Sequence, residues 1–105
     1  MSSMSEPVRV ATADEVPAGT CTEVQVGGTP VALCNVEGRF HAVSGRCPHR
    51  GGPLGQGSLD GVVLLCPWHA WDFDVTTGAT QMNPEVRLER YEVRVENGQV
   101  LVKLG

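Results

Sequence analysis

Two short segments of the sequence each place a cysteine close to a histidine. His49 follows Cys47 after one residue and His69 follows Cys66 after two, with residues 50–65 between the pairs. Thiolates and imidazoles are the side chains that most often hold transition metals in proteins. The pattern therefore predicts that these four side chains converge on one metal centre, which is the candidate functional site.

The ligand types narrow the choice of metal. Two thiolates on one iron and two imidazoles on the other are the ligation of a Rieske 2Fe-2S centre. A structural zinc site of the Cys2His2 type uses the same four side chains, but zinc sites usually pair cysteine with cysteine along the chain. A nucleophilic Cys-His pair would leave the second segment without a role. The pattern favours the iron–sulfur centre, with zinc as the main alternative.

The segments on either side of these residues have the pattern of short β-strands. Runs rich in β-branched residues are separated by turn pairs such as Gly27-Gly28 and Asn97-Gly98, which join hairpins. No helical period is sustained, so we predict an all-β sandwich or barrel of short antiparallel strands. The predicted strands are residues 8–11, 21–26, 31–36, 39–43, 62–65, 71–75, 88–96 and 99–104.

The ligand-bearing segments lie in loops that these strands carry. Residues 44–57 lose the strand periodicity and contain five glycines and two prolines, so their backbone can approach a ligand closely. Near the amino terminus, Thr12-x-x-Glu15 has the pattern of a capping box, and Pro17 limits any helix there to about one turn. We predict a single domain over residues 1–105, with a cluster-binding subdomain of two loops at about residues 44–82.

Composition excludes several classes of partner. The chain has 105 residues, with 8 basic against 12 acidic side chains and a net charge of -4, which disfavours binding to nucleic acid or to anionic membranes. The sequence contains neither an apolar run long enough to span a membrane nor the pattern of a signal peptide, so a cytoplasmic location is expected. There, the remaining cysteines Cys21 and Cys34 are predicted to be reduced strand thiols.

Beyond the ligands themselves, the chain resembles the Rieske proteins. Residues 47–52 (CPHRGG) and 66–71 (CPWHAW) are similar to the two ligand boxes of that family. The strand that ends in FHAV, the FD-x-x-TG stretch and the final hairpin extend the resemblance to the soluble Rieske-type ferredoxins. The resemblance implies that Cys47 and Cys66 hold the inner iron, and that the two histidines hold the outer iron near solvent.

Some positions differ from the branch of the family that oxidises quinols. That branch has a disulfide between the loops, where this chain has Gly52 and Trp68. It also has serine and tyrosine hydroxyls that donate to cluster sulfurs, where this chain has Trp71 and Phe73. The resemblance therefore implies a cluster of low potential.

Low-potential Rieske centres occur in oxygenases and in the ferredoxins that supply them. An oxygenase also needs a mononuclear iron bound by two histidines and a carboxylate, and only His41 remains after the cluster has taken two. The resemblance implies a monomeric electron carrier, not an enzyme, between a flavin-dependent ferredoxin reductase and a terminal Rieske-type oxygenase. The alternative is a small Rieske subunit fixed in a nitrite reductase-like assembly.

Overall fold

The computed structural model describes residues 6–48, 51–68, 71–80, 83 and 85–104. Within these ranges the chain forms nine β-strands and two single turns of 3-10 helix, Ala13–Glu15 and Leu54–Gln56. The strands are β1 (Val8–Thr12), β2 (Cys21–Val26), β3 (Thr29–Val36), β4 (Arg39–Ser44), β5 (Ser58–Asp60), β6 (Val63–Leu65), β7 (Asp72–Asp74), β8 (Arg90–Glu96) and β9 (Gln99–Lys103). The predicted all-β fold is confirmed.

Tight turns join consecutive strands where the sequence predicted them. Asn97 and Gly98 have φ angles of 53° and 76°, and they connect β8 to β9. Positive φ at both central residues is the conformation whose twist matches that of a two-stranded antiparallel ribbon. Asparagine and glycine adopt it at low cost, so this turn fixes the register of the carboxy-terminal hairpin.

Six strands form one curved antiparallel sheet in the order β1-β9-β8-β4-β3-β2. Its two edge strands, β1 and β2, also contact each other, so the sheet closes almost into a barrel. Val31, Leu33 and Ala42 point to the inside, where they pack against Val100 and Val102. We call this buried set the barrel core.

A second sheet, with the order β5-β6-β7, packs on the outer face of β3 and β4. Because successive side chains of a strand point to opposite faces, Ala32 and Cys34 lie on the other side of β3 from Leu33. There they join Leu64 and Phe73 in a separate buried set, which we call the outer core. Strand β3 is therefore buried on both faces and links the two cores.

Some boundaries differ from the prediction. Strand β5 and the turn Leu54–Gln56 were not predicted, because residues 44–57 read only as glycine-rich loop and β5 has three residues. Strand β8 begins at Arg90, two residues after the predicted start. The Thr12 N–H donates to Glu15 Oε1 at 3.0 Å, so the predicted capping contact is present on a helix of one turn. Within the described residues, no helix is long and apolar enough to cross a membrane.

Candidate metal centre

Each of the two predicted thiol ligands lies just beyond the end of a strand. Cys47 follows β4 and Cys66 follows β6, and their exposed fractions are 1% and 3%. Both belong to the outer core. The structure thus brings the two cysteines into one buried region, whereas the predicted ligands His49 and His69 lie outside the described residues.

The backbone closes the two cysteine loops in the same way. The Cys47 N–H donates to the Gly52 carbonyl at 2.9 Å, and the Cys66 N–H donates to the Trp71 carbonyl, also at 2.9 Å. In each loop the bond joins the cysteine to the residue five positions later. In the first loop the Gly51 N–H also donates back to the Cys47 carbonyl at 2.6 Å. Each cysteine is therefore fixed at the base of its loop before any ligand is considered.

Gly52 allows the two loops to touch. A Cβ atom at this position would lie 2.9 Å from Cys66 Sγ and 3.2 Å from the Trp68 ring, closer than side-chain atoms normally approach. Only a residue without a side chain lets the backbone of the first loop rest on the thiol and indole of the second. Gly52 and Trp68 are the positions at which the quinol-oxidising relatives are expected to have a disulfide, so here a packing contact joins the loops instead.

The aromatic residues around the thiols have different environments. Phe73 is buried in the outer core, and the partly buried Trp71 packs against it with ring centroids 6.3 Å apart. These two rings cover the thiol side of the site. Trp68, by contrast, is 58% exposed, so covering the site is not its main role. An exposed indole beside a buried site is the kind of side chain that protein partners contact.

An open cleft of about 690 Å³ runs beside the second loop. It is lined by Gln56, Gly57, Ser58, Leu65, Cys66, Pro67 and Trp68. The first three of these come from residues that were predicted as loop or left unassigned. The signal that could have found β5 is the polar–apolar–polar alternation of residues 58–60 just before the Asp60-Gly61 turn.

Arg46, at the entrance to the first loop, is held by the barrel. Its Nη1 lies 3.4 Å from Glu23 Oε1 on β2, and both side chains are partly exposed. Exposed pairs of this kind contribute little to stability. The pairing nevertheless directs Arg46 toward β2. Arg50, in the first ligand box, is outside the described residues.

These features fit the group that the ligand pattern predicts. Two thiols that share one buried region, loops that position each of them, and a glycine pressed against one sulfur suit a group bound through sulfur between the loops. A nucleophilic cysteine would instead need an accessible thiol beside a base. Burial of both thiols disfavours that alternative.

Known proteins identify the group. The profile of the Rieske [2Fe-2S] domain matches residues 6–92. The ferredoxin component of the naphthalene 1,2-dioxygenase/salicylate 5-hydroxylase systems of Ralstonia sp is 34% identical over 98 residues, which cover 92% of this chain and 94% of that protein. Ferredoxin CarAc of Metapseudomonas resinovorans is 37% identical over 97 residues, which cover 90% of this chain and 91% of that protein.

Solved structures agree in fold over nearly the whole chain. The ferredoxin of carbazole 1,9a-dioxygenase from Nocardioides aromaticivorans IC177 superposes with a TM-score of 0.89 at 32% identity, covering 96% of this chain and all of that one. The ferredoxin in a complex of reduced oxygenase and oxidized ferredoxin of carbazole 1,9a-dioxygenase superposes with a TM-score of 0.86 at 35% identity, and the match covers 94% of each chain. The resemblance noted in the sequence is confirmed, and the chain belongs to the Rieske [2Fe-2S] domain family, with a Rieske-type 2Fe-2S cluster as its cofactor.

Proposed function

We propose that this protein is the ferredoxin component of a Rieske oxygenase system, carrying single electrons from a flavin-dependent ferredoxin reductase to a terminal Rieske-type oxygenase. The observation that carries the proposal is similarity over 87% to 92% of the chain to proteins named as ferredoxin components of oxygenase systems. A solved neighbour is described as a complex of oxygenase and ferredoxin, which supports the oxygenase as the acceptor. The chain itself is an electron carrier and not the oxygenase.

The ligand set proposed is Cys47, His49, Cys66 and His69. Burial of both thiols in the outer core and closure of each loop at its cysteine support the cysteine half of this set. The sequence pattern of the two boxes supports the histidine half. The cluster, when bound, supplies a single redox centre that accepts and releases one electron.

The chain's own residues account for the remaining requirements of a carrier. Leu54, Leu64 and Phe73 exclude water from the thiol side, because each is buried beneath the loops. Pro48 and Pro67 have no N–H and restrict the backbone next to each cysteine. A site that is rigid and dry on one side changes little between redox states, which suits rapid electron transfer.

We further propose a low potential, a monomeric state and a cytoplasmic location. Neither Trp71 nor Phe73 offers a hydroxyl to the buried sulfurs, so the more negative reduced state lacks two donors that high-potential relatives are expected to have. The net charge of -4 favours solubility and a partner with basic groups.

The ligand set is tested by single substitutions with matched controls from the same chain. Cys47→Ser, Cys66→Ser, His49→Ala and His69→Ala are each expected to abolish the Rieske visible and electron paramagnetic resonance spectra. Cys34→Ser, in the same outer core, and His41→Gln, on β4, should retain both spectra. A native spectrum in any of the first four variants would refute the assignment of that ligand.

The carrier role is tested with the holo-protein. It should elute as a monomer and take up one electron per cluster from a flavin-dependent, NADH-oxidising ferredoxin reductase. Adding it should restore carbazole oxidation by that reductase and the terminal oxygenase of carbazole 1,9a-dioxygenase. Isolation of the protein from its own cells only as a stable stoichiometric complex with a larger reductase would instead indicate a fixed subunit.

A further inference from the structure

Two cysteines outside the cluster site face each other across neighbouring strands. Cys21 on β2 is directly opposite Cys34 on β3. The next residue pair carries the ladder hydrogen bond, from the Asn35 N–H to the Thr20 carbonyl at 2.9 Å. Because bonded and non-bonded pairs alternate in an antiparallel ladder, Cys21 and Cys34 form a non-hydrogen-bonded pair, with Cα atoms about 4.5 Å apart and side chains on one face.

This separation is within the range that a disulfide spans. Disulfide-bonded cysteines have Cα atoms roughly 4.4–6.8 Å apart. Both thiols are free, so the backbone holds a reduced pair in a geometry close to that of the oxidised one. Neither cysteine is a proposed cluster ligand.

The two thiols differ in access and in acidity. Cys34 is fully buried and Cys21 is partly exposed. A hydrogen bond between the two thiols lowers the pKa of Cys21, while the same contact and burial raise the pKa of Cys34. The Cys21 S–H faces two backbone carbonyls, with Cys21 Sγ 3.5 Å from the Gly57 oxygen and 3.7 Å from the Gly55 oxygen. Cys21 is therefore the accessible member, with its partner directly opposite on the neighbouring strand.

We propose that Cys21 and Cys34 are a redox-active dithiol that closes to a cross-strand disulfide when a hydroperoxide oxidises Cys21. The Cys21 thiolate attacks one peroxide oxygen, the O–O bond breaks, and the departing hydroxide leaves as water with the thiol proton. The Cys34 sulfur then attacks the resulting sulfenic acid and expels a second water. Two thiols and one hydrogen peroxide thus give one disulfide and two waters.

Closing the disulfide also changes the segment between the ligand loops. Oxidation removes the S–H that faces the Gly55 and Gly57 carbonyls, and these residues flank Gln56 on the wall of the cleft beside Cys66. Gly55 packs directly on Glu23 of β2, where a Cβ would lie 2.6 Å from the Glu23 Cα. A change in β2 at the dithiol is therefore adjacent to the cluster side of the molecule.

The proposal is tested on the holo-protein with small molar excesses of hydrogen peroxide. After catalase treatment the protein is denatured, labelled with N-ethylmaleimide and mapped by peptide mass spectrometry. Cys21 and Cys34 should lose their label together, yield a cross-linked peptide pair, and recover the label after dithiothreitol, while Cys47 and Cys66 stay labelled. Full labelling of Cys21 at a dose that oxidises an added reference thiol would overturn the proposal, as would a disulfide that contains Cys47 or Cys66.

Variants separate the two chemical steps. In Cys34→Ala and Cys34→Ser, Cys21 should stop at the sulfenic acid, which dimedone traps. In Cys21→Ser, Cys34 should remain labelled, because the thiol that reacts first is missing. Two substitutions of Cys34 guard against one that fails to fold. Absence of the dimedone adduct from both, in protein with a native visible spectrum, would overturn Cys21 as the reacting thiol.

Discussion

Gly52 shows how one residue can decide whether two loops form one site. Its importance does not come from backbone flexibility, since its φ angle is not in the left-handed region. It comes from the space that a methyl group would need, which Cys66 Sγ and the Trp68 ring already occupy. The cysteine loops can approach each other only because this position has no side chain.

Gly52→Ala is therefore expected to reduce cluster occupancy. Overpacking of this kind typically costs about 1–3 kcal/mol, and here the strain falls on the thiol of a proposed ligand. The measurement is iron and sulfide content per chain together with visible absorbance. Gly61→Ala is the control, because its φ of 63° adds backbone strain but no atom lies within 4 Å of the new Cβ. Equal occupancy in the two variants would contradict the steric argument.

Phe73→Tyr is expected to raise the reduction potential. Phe73 is buried in the outer core with both proposed cysteine ligands, and a hydroxyl that donates to a ligand sulfur favours the more negative reduced state. A hydrogen bond worth about 1 kcal/mol corresponds to roughly 40 mV for a one-electron couple. Protein-film voltammetry measures the change. Phe40→Tyr, on the barrel side of β4, should leave the potential unaltered, and an unchanged or lower potential in Phe73→Tyr would reject this argument.

Among the site residues, the sequence identifies those whose chemistry is a property of residue type. That Cys47 and Cys66 share one buried region could be predicted, because two thiols, each spaced closely from a histidine, form a pattern that few sites other than metal centres require. The contact of Gly52 with Trp68 could not be predicted, because it joins residues that are far apart in sequence and depends on how the two loops pack against each other. Likewise, the pairing of Cys21 with Cys34 depends on the register of β2 and β3.

At the scale of elements, turn chemistry made the hairpins predictable. Asn97-Gly98, Gly27-Gly28 and Glu37-Gly38 each adopt positive φ angles, and they separate adjacent strands at the places where the sequence indicated breaks. Strand β5 escaped prediction because a three-residue strand gains its stability from pairing with β6 and not from its own sequence. The division of the apolar residues into two cores could not be predicted either, because the alternation of side chains along a strand does not indicate which sheet covers each face.

The two cores lead to a prediction about cluster removal. The outer core contains both proposed thiol ligands, whereas the barrel core contains neither. Removing the iron with a chelator under reducing conditions should therefore accelerate amide exchange in β5, β6 and β7 and leave β1, β8 and β9 protected. Hydrogen exchange with mass spectrometry on the holo- and apo-protein measures this directly. Equal acceleration in both sheets would show that the two cores unfold as one unit.

For the molecule as a whole, stability depends on these cores more than on charge pairs. Arg94 Nε lies 3.3 Å from Glu92 Oε2, and Arg94 Nη1 lies 3.7 Å from Glu96 Oε2. Lys103 Nζ lies 4.0 Å from Glu92 Oε1. These groups are on the exposed face of β8 and β9, where ion pairs contribute about 0–1 kcal/mol and weaken with salt. Added salt should consequently have little effect on unfolding. The pH should affect the free energy of unfolding more than salt does, because His41 is partly buried close to Arg90 and Arg39.

His41 makes the stability of the folded protein depend on pH near neutrality. Burial, followed by the charges of Arg90 and Arg39, lowers the pKa of His41, and Asp74 opposes this only in part. The pKa in the folded state is thus below the unfolded value of about 6.5. At pH values between the two pKa values, the folded protein therefore binds fewer protons than the unfolded chain. The stabilisation is complete above the unfolded-state pKa and is lost as the pH falls through the folded-state pKa.

His41→Gln should remove this component. The difference in free energy of unfolding between the wild type and the variant should decrease from pH 8 to pH 5, by at most about 1.4 kcal/mol per pH unit for one proton. Anaerobic urea unfolding at several pH values measures the difference, in which contributions from the histidine ligands cancel. Thr76→Val is the control: the Thr76 hydroxyl lowers the pKa of Asp74, so its loss should destabilise the protein without changing the slope above pH 5. Parallel pH curves for the wild type and His41→Gln would show that His41 is not the group responsible.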